Sequence, residues 1–438
     1  MVMKPGTLAP DPPRLGWRDA VATLRSEPAH TRILGGSIIM LLGSGLVSIV
    51  NFGYNVAVAR LLGPSAFGHA AAAVTLLMLV SAITLSFQLV CAKLLAKTES
   101  KSERAAIYLA LRRRSWAVGL ILGSALLLAS GPVARYLNLP SPRIVMLLAL
   151  GIAFYIPLGT KRGGLQGTCH FARLSWNFFL EAATKFCGAM LLIALGYGVY
   201  GAVAAISISV VLAYFIPPVS QELRIDSGGR VNTSFREGMQ AIVFFTGQVV
   251  INNIDILLVK HFFSPDSAGQ YAAIALVGRV IYFASWSVVS AMFPISAAAK
   301  PKKENVSVLV VPILIVLGIA VTFIVGLTLF PDPVLRTVFG SGFQGGAKLD
   351  GLLSLYAAAT GTYSLGVVLM AYEMSRRIAN TGWLQLAVSG AIVVGIYLFH
   401  STLQQVVLVQ LVLMVGLLMI VSIPFFRHGR HSVLEEAA

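Results

Sequence analysis

Arg279 lies deep inside an apolar stretch of the chain, where a guanidinium needs a specific partner. Counted from the start of that stretch it sits about nine residues in, or roughly 14 Å at about 1.5 Å per residue, close to the midplane of a bilayer. An arginine at that depth is expensive unless it is solvated or paired. Two chemistries fit it. As a binding group its planar fork would hold a phosphate bidentately. Tyr282 and Trp286, one and two helical turns further on, could then stack on a sugar or prenyl surface. As a structural group it would pair with Asp255 on the neighbouring apolar stretch.

Other ionisable groups share this setting. Glu181 and Lys185 stand at i, i+4 with the acid N-terminal, the favourable order on a helix. Mutual neutralisation for insertion is one role for the pair, and H+ or Na+ coupling is the other. Asp255 lies nearer the end of its stretch, where it could act as an interfacial acid or as a coupling group.

Polar residues recur with helical spacing on four stretches. Ser44, Ser48, Asn51 and Asn55 share one face, as do Gln248, Asn252 and Asp255. Ser81, Thr84, Gln88 and Cys91 form a third stripe, and Arg279, Tyr282, Trp286 and Ser290 a fourth. Such stripes commonly glue helices together in membranes. Four at corresponding positions support a second expectation, that these helices line a hydrated cavity.

The remaining motifs are weak. Phe339-Gly340-Ser341-Gly342-Phe343-Gln344-Gly345-Gly346 lacks the Lys-Ser/Thr ending of a phosphate loop and reads as a turn. The histidines form no HExxH, and Cys91, Cys169 and Cys187 have no metal-ligand spacing. No metal, resident cofactor or catalytic group is expected.

The elements that position these residues follow from composition. Of 438 residues, 57% are apolar and 11% charged, with a mean hydropathy of +0.82, whereas soluble domains carry about 25% charge. Apolar stretches fall near residues 33–59, 68–92, 115–134, 144–160, 176–195, 199–221, 238–259, 270–298, 306–330, 349–373, 382–399 and 403–426. Each is about long enough to span a bilayer. The alternation of a membrane barrel is missing, so the fold class is all-α, a polytopic membrane protein of twelve helices. The polar, Pro-containing residues 1–32 read as an uncleaved tail, with the first apolar stretch acting as a signal anchor.

The net charge of +16 is explained by topology. Lys and Arg concentrate in alternate loops, including Lys93, Lys97, Lys101, Arg104 and Arg112 to Arg114, Lys161 and Arg162, and Lys300 to Lys303. The opposite loops hold only Arg60, Arg135, Arg143, Lys260, Arg336 and Lys348. The positive-inside rule then predicts that both termini are cytoplasmic. No interleaved aromatic platform accompanies the charge, so nucleic acid is not an expected partner.

An internal repeat organises the chain. Ala59-Arg60-Leu61-Leu62-Gly63-Pro64-Ser65-Ala66-Phe67-Gly68 recurs, with one insertion, as Val259-Lys260-His261-Phe262-Phe263-Ser264-Pro265-Asp266-Ser267-Ala268-Gly269. An offset of about six spans predicts two pseudo-symmetric six-helix bundles in the same orientation, with substrate between them. The expected division is a tail over 1–32, an N-lobe over 33–221, a linker over 222–236, a C-lobe over 237–426 and a tail over 427–438.

These motifs, with Gly201-Ala202, Gly269-Gln270-Tyr271-Ala272-Ala273, Phe293-Pro294 and Val338-Phe339-Gly340, resemble the polysaccharide-exporter branch, O-antigen flippase type, of the multidrug, oligosaccharidyl-lipid and polysaccharide exporter superfamily. The resemblance implies a MATE-like V of two bundles, alternating access, and export of a lipid-pyrophosphate oligosaccharide for surface polysaccharide such as lipopolysaccharide. It implies a cavity lined by the first, second, seventh and eighth helices. The expected substrate-binding residues are Arg279, Tyr282, Trp286, Asn51, Asn55, Gln88, Lys93, Gln248 and Asn252, with Asp255, Glu181 and Lys185 for ion coupling. Expected partners are the lipid-linked oligosaccharide, membrane lipids and other polysaccharide-assembly proteins. A peptidoglycan-precursor flippase would carry two further C-terminal helices. A multidrug exporter would want an acidic cavity, and a glycan polymerase or glycosyltransferase would want a large loop with paired acids.

Overall fold

A chain this apolar can satisfy its backbone in lipid only by pairing N–H and C=O groups within helices. The computed structural model describes residues 29–219, 223, 235–298, 307–343, 347–376 and 382–436, and among them it contains helices and no strand. In chain order they are α1 (Ala29–Lys97), α2 (Lys101–Leu128), α3 (Ser130–Tyr136), α4 (Arg143–Gly167), α5 (Phe171–Ala194), α6 (Gly198–Phe215) and α7 (Phe235–Phe262). There follow α8 (Pro265–Gly278), α9 (Val280–Ala298), α10 (Ser307–Leu329), α11 (Pro331–Phe339), α12 (Ala347–Arg376), α13 (Gly382–Leu398) and α14 (Leu403–Glu436). The expected tail over 1–32 and linker over 222–236 fall almost wholly outside the described residues.

Among the described residues nine helical runs are long and apolar enough to cross a membrane, or ten if the bent pair α2 and α3 is one span. One of the nine, Leu42–Lys97, breaks at Gly63, where φ is 76° and Pro64 follows. Only glycine adopts that left-handed backbone cheaply, and the proline cannot donate to the preceding turn. The break divides α1 into two arms where the sequence predicts separate helices. Arg279 likewise interrupts the expected 270–298 helix, standing between α8 and α9.

The main contacts join helices of the same half: α1, α2 and α5 with one another's neighbours α4 and α6, and α12 with α10 and α14. Contacts across the halves run chiefly from α1 to α7 and α8. The two copies of the repeat meet there. A Cβ placed on Gly68 would lie 2.9 Å from Gly269 N and 3.0 Å from Pro265 O, and one on Gly269 would overlap Pro64 O. Each copy thus needs a glycine to admit the other's turn. Phe67 packs with Phe339 and Phe343 beside this seam, and Arg60 donates from Nε to Val338 O at 2.7 Å and from Nη2 to Thr337 O. Asn138 donates to His261 O at 2.8 Å, and the Tyr136 and Tyr397 hydroxyls are hydrogen-bonded. All these residues belong to the basic-poor end of the bundle.

Two sequence readings change here. Lys161 and Arg162, expected in a loop, are helical and 4% and 3% exposed. Lys161 Nζ donates to the carbonyls of Ala213 and Tyr214, the open C-terminal end of α6. Arg162 pairs with Glu181, donates to Asn177 Oδ1 at 2.7 Å and lies 4.0 Å over the Phe178 ring. The Ser81, Thr84, Gln88 and Cys91 stripe also changes role. All four residues are buried, and three of them meet a glycine ladder on α4: Gly159 abuts Thr84, and Gly163 abuts Gln88 and Cys91. This face glues two helices together and does not open on a cavity, the arrangement small residues permit in membranes.

Candidate functional site

The helix interruption at Arg279 is where the second half concentrates its polar groups. As the C-cap of α8, Arg279 turns its guanidinium into a group of helices that includes α7 and α12. Nη2 donates to Asp255 Oδ1 at 2.9 Å, Nε to Tyr356 Oη at 3.1 Å and Nη1 to Asn253 Oδ1 at 3.4 Å. Asp255 Oδ2 accepts from Tyr271 Oη at 3.0 Å and from Tyr356 Oη at 2.9 Å, and Tyr271 Oη accepts from Gln410 at 3.0 Å. The carboxylate is 1% exposed and the guanidinium 12%.

Such a network settles which of the two chemistries the resting structure uses. Asp255 is not an interfacial acid; it is buried and neutralised by Arg279. Among the described residues three of the five guanidinium N–H donors are engaged and two are not. Every oxygen of Asp255 is bonded, the condition under which a buried ion pair is tolerated in a low-dielectric interior.

Beside the network runs a band of aromatic and amide groups. Gln248 Nε2 donates to Tyr282 Oη at 2.7 Å, and Asn252 Nδ2 donates to Gln248 O at 2.8 Å. Tyr282 stacks on Tyr363, centroids 5.8 Å apart, and lies 6.2 Å from Trp286. Trp286 is 41% exposed, so its ring is open to a ligand or to lipid. The side chain of Ser290, the last of that stripe, lies outside the described residues.

The first half holds a smaller counterpart. Lys185 Nζ donates to Asn51 Oδ1 and stands 5.0 Å over the Tyr54 ring, while Asn55 Nδ2 turns back to Asn51 O at 2.8 Å. Glu181 is therefore committed to Arg162 and not to Lys185, because the helical fold of 161–167 carries a stronger, planar partner to it. Gln88 is 7% exposed and donates to Gln166 at 3.0 Å, apart from both groups. Lys93 is exposed near the C-terminal end of α1.

Sequence reasoning missed Tyr356, Tyr271, Asn253 and Gln410 as partners, along with Arg162 and Asn177. Tyr271 alone carried a signal, through its place in the repeated motif. Glu373 was also missed: it is 1% exposed, and neither carboxylate oxygen has a hydrogen-bond partner among the described residues.

Comparison with known proteins adds to this picture. A family model described as "Polysaccharide biosynthesis protein" matches residues 57–347. Among solved structures the chain superposes on an inward-facing MATE multidrug transporter of the MOP superfamily with a TM-score of 0.73, at 13% identity, covering 92% of this chain and 99% of that one. It superposes on the lipid II flippase MurJ in an inward closed conformation with a TM-score of 0.69, at 12% identity, covering 89% and 87%. An outward-facing MATE transporter gives 0.56, at 16% identity, covering 95% and 98%. No match was found among curated proteins. These likenesses establish the MATE-like fold.

Proposed function

We propose, for a chain that belongs to the polysaccharide biosynthesis protein family, that it is a flippase carrying a lipid-pyrophosphate-linked oligosaccharide from the cytoplasmic to the outer leaflet. The family match over residues 57–347 carries this reading, since it names the pathway that the fold serves. The MATE-like fold, shared with MOP-superfamily transporters and with a lipid flippase, supports movement across the membrane over chemistry on the glycan.

The geometry supplies a division of labour for such a cargo. The diphosphate would meet the two uncommitted donors of Arg279 and the Lys185 ammonium of the opposite half. Sugars would stack on Trp286 and Tyr282, with Gln248, Asn252, Asn51 and Asn55 offering hydrogen bonds. The prenyl tail would stay in lipid between the halves. Lys93, among the exposed basic residues of the expected cytoplasmic end, would attract the anionic headgroup. Movement of Asp255 or Glu181 away from its arginine would free a carboxylate for H+ or Na+, which gives coupling a physical route.

The chain superposes better on the inward-facing MATE transporter than on the outward-facing one, and the glycine turns of the repeat are in contact at the basic-poor end. A closed outer end is the loading state of such a cycle.

The test is surface polysaccharide in a strain deleted for this protein. Loss of surface glycan, restored by the wild-type chain and reduced with Arg279→Ala, is the expected result. Unchanged glycan together with altered resistance to cationic dyes would replace this reading with a multidrug exporter.

A further inference from the structure

The repeat places one basic residue at the same point in each half, and the two are treated differently. Arg60 is capped by the carbonyls of Thr337 and Val338 at the C-terminal end of α11. Lys260, its counterpart at the end of α7, is fully buried at 0% exposure, and its Nζ has no hydrogen-bond partner among the described residues. Opposite it across the seam, on the second arm of α1, stands His69, 9% exposed with an unpartnered Nδ1. The two side chains lie within electrostatic reach of each other, and Asp266 is an acidic group within reach of Lys260.

An ammonium with three donors and no acceptor disfavours the state that buries it. Parting the two glycine turns removes that penalty, because water and solutes then reach Nζ. A ligand shifts a two-state equilibrium only through contacts that differ between the states. Lys260 and His69 are groups of that kind: among the described residues Nζ and Nδ1 have no hydrogen-bond partner in the closed seam, and each can gain one when it opens. A neighbouring cleft of about 420 Å³, lined by Arg60, Arg336 and the Gly340-Ser341-Gly342 turn, adds two more basic side chains at the same end.

We propose that Lys260, with His69, forms an anion-binding site of the opened seam, which receives a diphosphate group and holds the basic-poor end open while that group leaves. The proposal rests on the transport reading above for its ligand class. The site lies away from the Arg279 network and would act after it, on the exit side.

The test uses the full chain in lipid nanodiscs, with Cys91, Cys169 and Cys187 replaced by serine and spin labels at Pro142→Cys and Ser401→Cys. Inorganic pyrophosphate is the probe, with sulfate at matched ionic strength as control. Pyrophosphate should raise the open-to-closed ratio of the labelled end by about fivefold in the otherwise wild-type chain. Lys260→Met should lower the ratio without probe and abolish the response, Lys260→Arg should keep it, and His69→Leu should weaken it. A Lys260→Met chain that responds as the wild type does overturns the proposal. So does a wild type that ignores pyrophosphate while Lys260→Met still lowers the ratio, since the ammonium is then merely hydrated. Should Lys260→Met not assemble, the comparison of His69→Leu with Lys260→Arg decides it on the same criteria. Surface glycan that survives deletion would sink the transport reading and leave this measurement standing.

Discussion

Asp255 and Arg279 stand 2.9 Å apart, with the carboxylate 1% and the guanidinium 12% exposed. Removing one member strands the other in a dry interior. Asp255→Asn or Arg279→Ala is expected to destabilise the protein by about 3–5 kcal/mol. Asp255→Asn combined with Arg279→Gln should recover much of that loss, read as the unfolding midpoint in detergent. Equal melting of single and double variants would show that the pair is not structurally coupled.

Trp286 offers the opposite case. It is 41% exposed, so Trp286→Ala should cost the fold less than breaking the buried Asp255–Arg279 pair. Its surface glycan, measured in a complemented deletion strain, should nonetheless fall well below that of the wild type.

Glu373 is buried with no partner for either oxygen. Glu373→Gln replaces a carboxylate with a neutral amide of the same shape, which removes a buried charge, and is expected to raise the melting temperature. A lower melting temperature for this variant would mean that the carboxylate is engaged in the membrane.

Gly269 admits the backbone of Pro64, and a methyl group there has nowhere to go. Gly269→Ala should push the seam apart and make nearby introduced thiols reactive to a membrane-impermeant maleimide. Gly131→Ala, at a glycine with nothing within 4 Å, is the control and should leave labelling unchanged.

Gly163 meets Gln88 and Cys91 at the crossing of α4 with the second arm of α1. Overpacking of this kind costs about 1–3 kcal/mol. Gly163→Val should therefore lower the yield of folded protein in size-exclusion chromatography, whatever its effect on transport.

Much of the architecture was legible in the sequence because the bilayer leaves few choices. Long apolar runs must be helices, and the Pro64 and Pro265 turns, with Gly68 and Gly269 beyond them, marked the repeat that the structure folds into a mutual contact. What sequence could not give was rotation. Ser81, Thr84, Gln88 and Cys91 were correctly placed on one face, but only packing shows that the face meets the α4 glycines. Spacing along a single helix also misled for Glu181: the i, i+4 neighbour Lys185 was visible in sequence, whereas Arg162, brought in by a fold of the chain, was not. Arg279 with Asp255 was legible as one of two alternatives, and the tyrosines that secure it were not, because Tyr356 comes from a distant helix with no periodic signal.

Because each turn of the repeat presents the same glycine to the other's backbone, the contact is self-complementary in the manner of a two-fold dimer. Nothing in it requires both turns to sit on one polypeptide. Arg60 and Lys260 break that symmetry: one clasps the end of α11, and the other is a buried cation with no hydrogen-bond acceptor among the described residues.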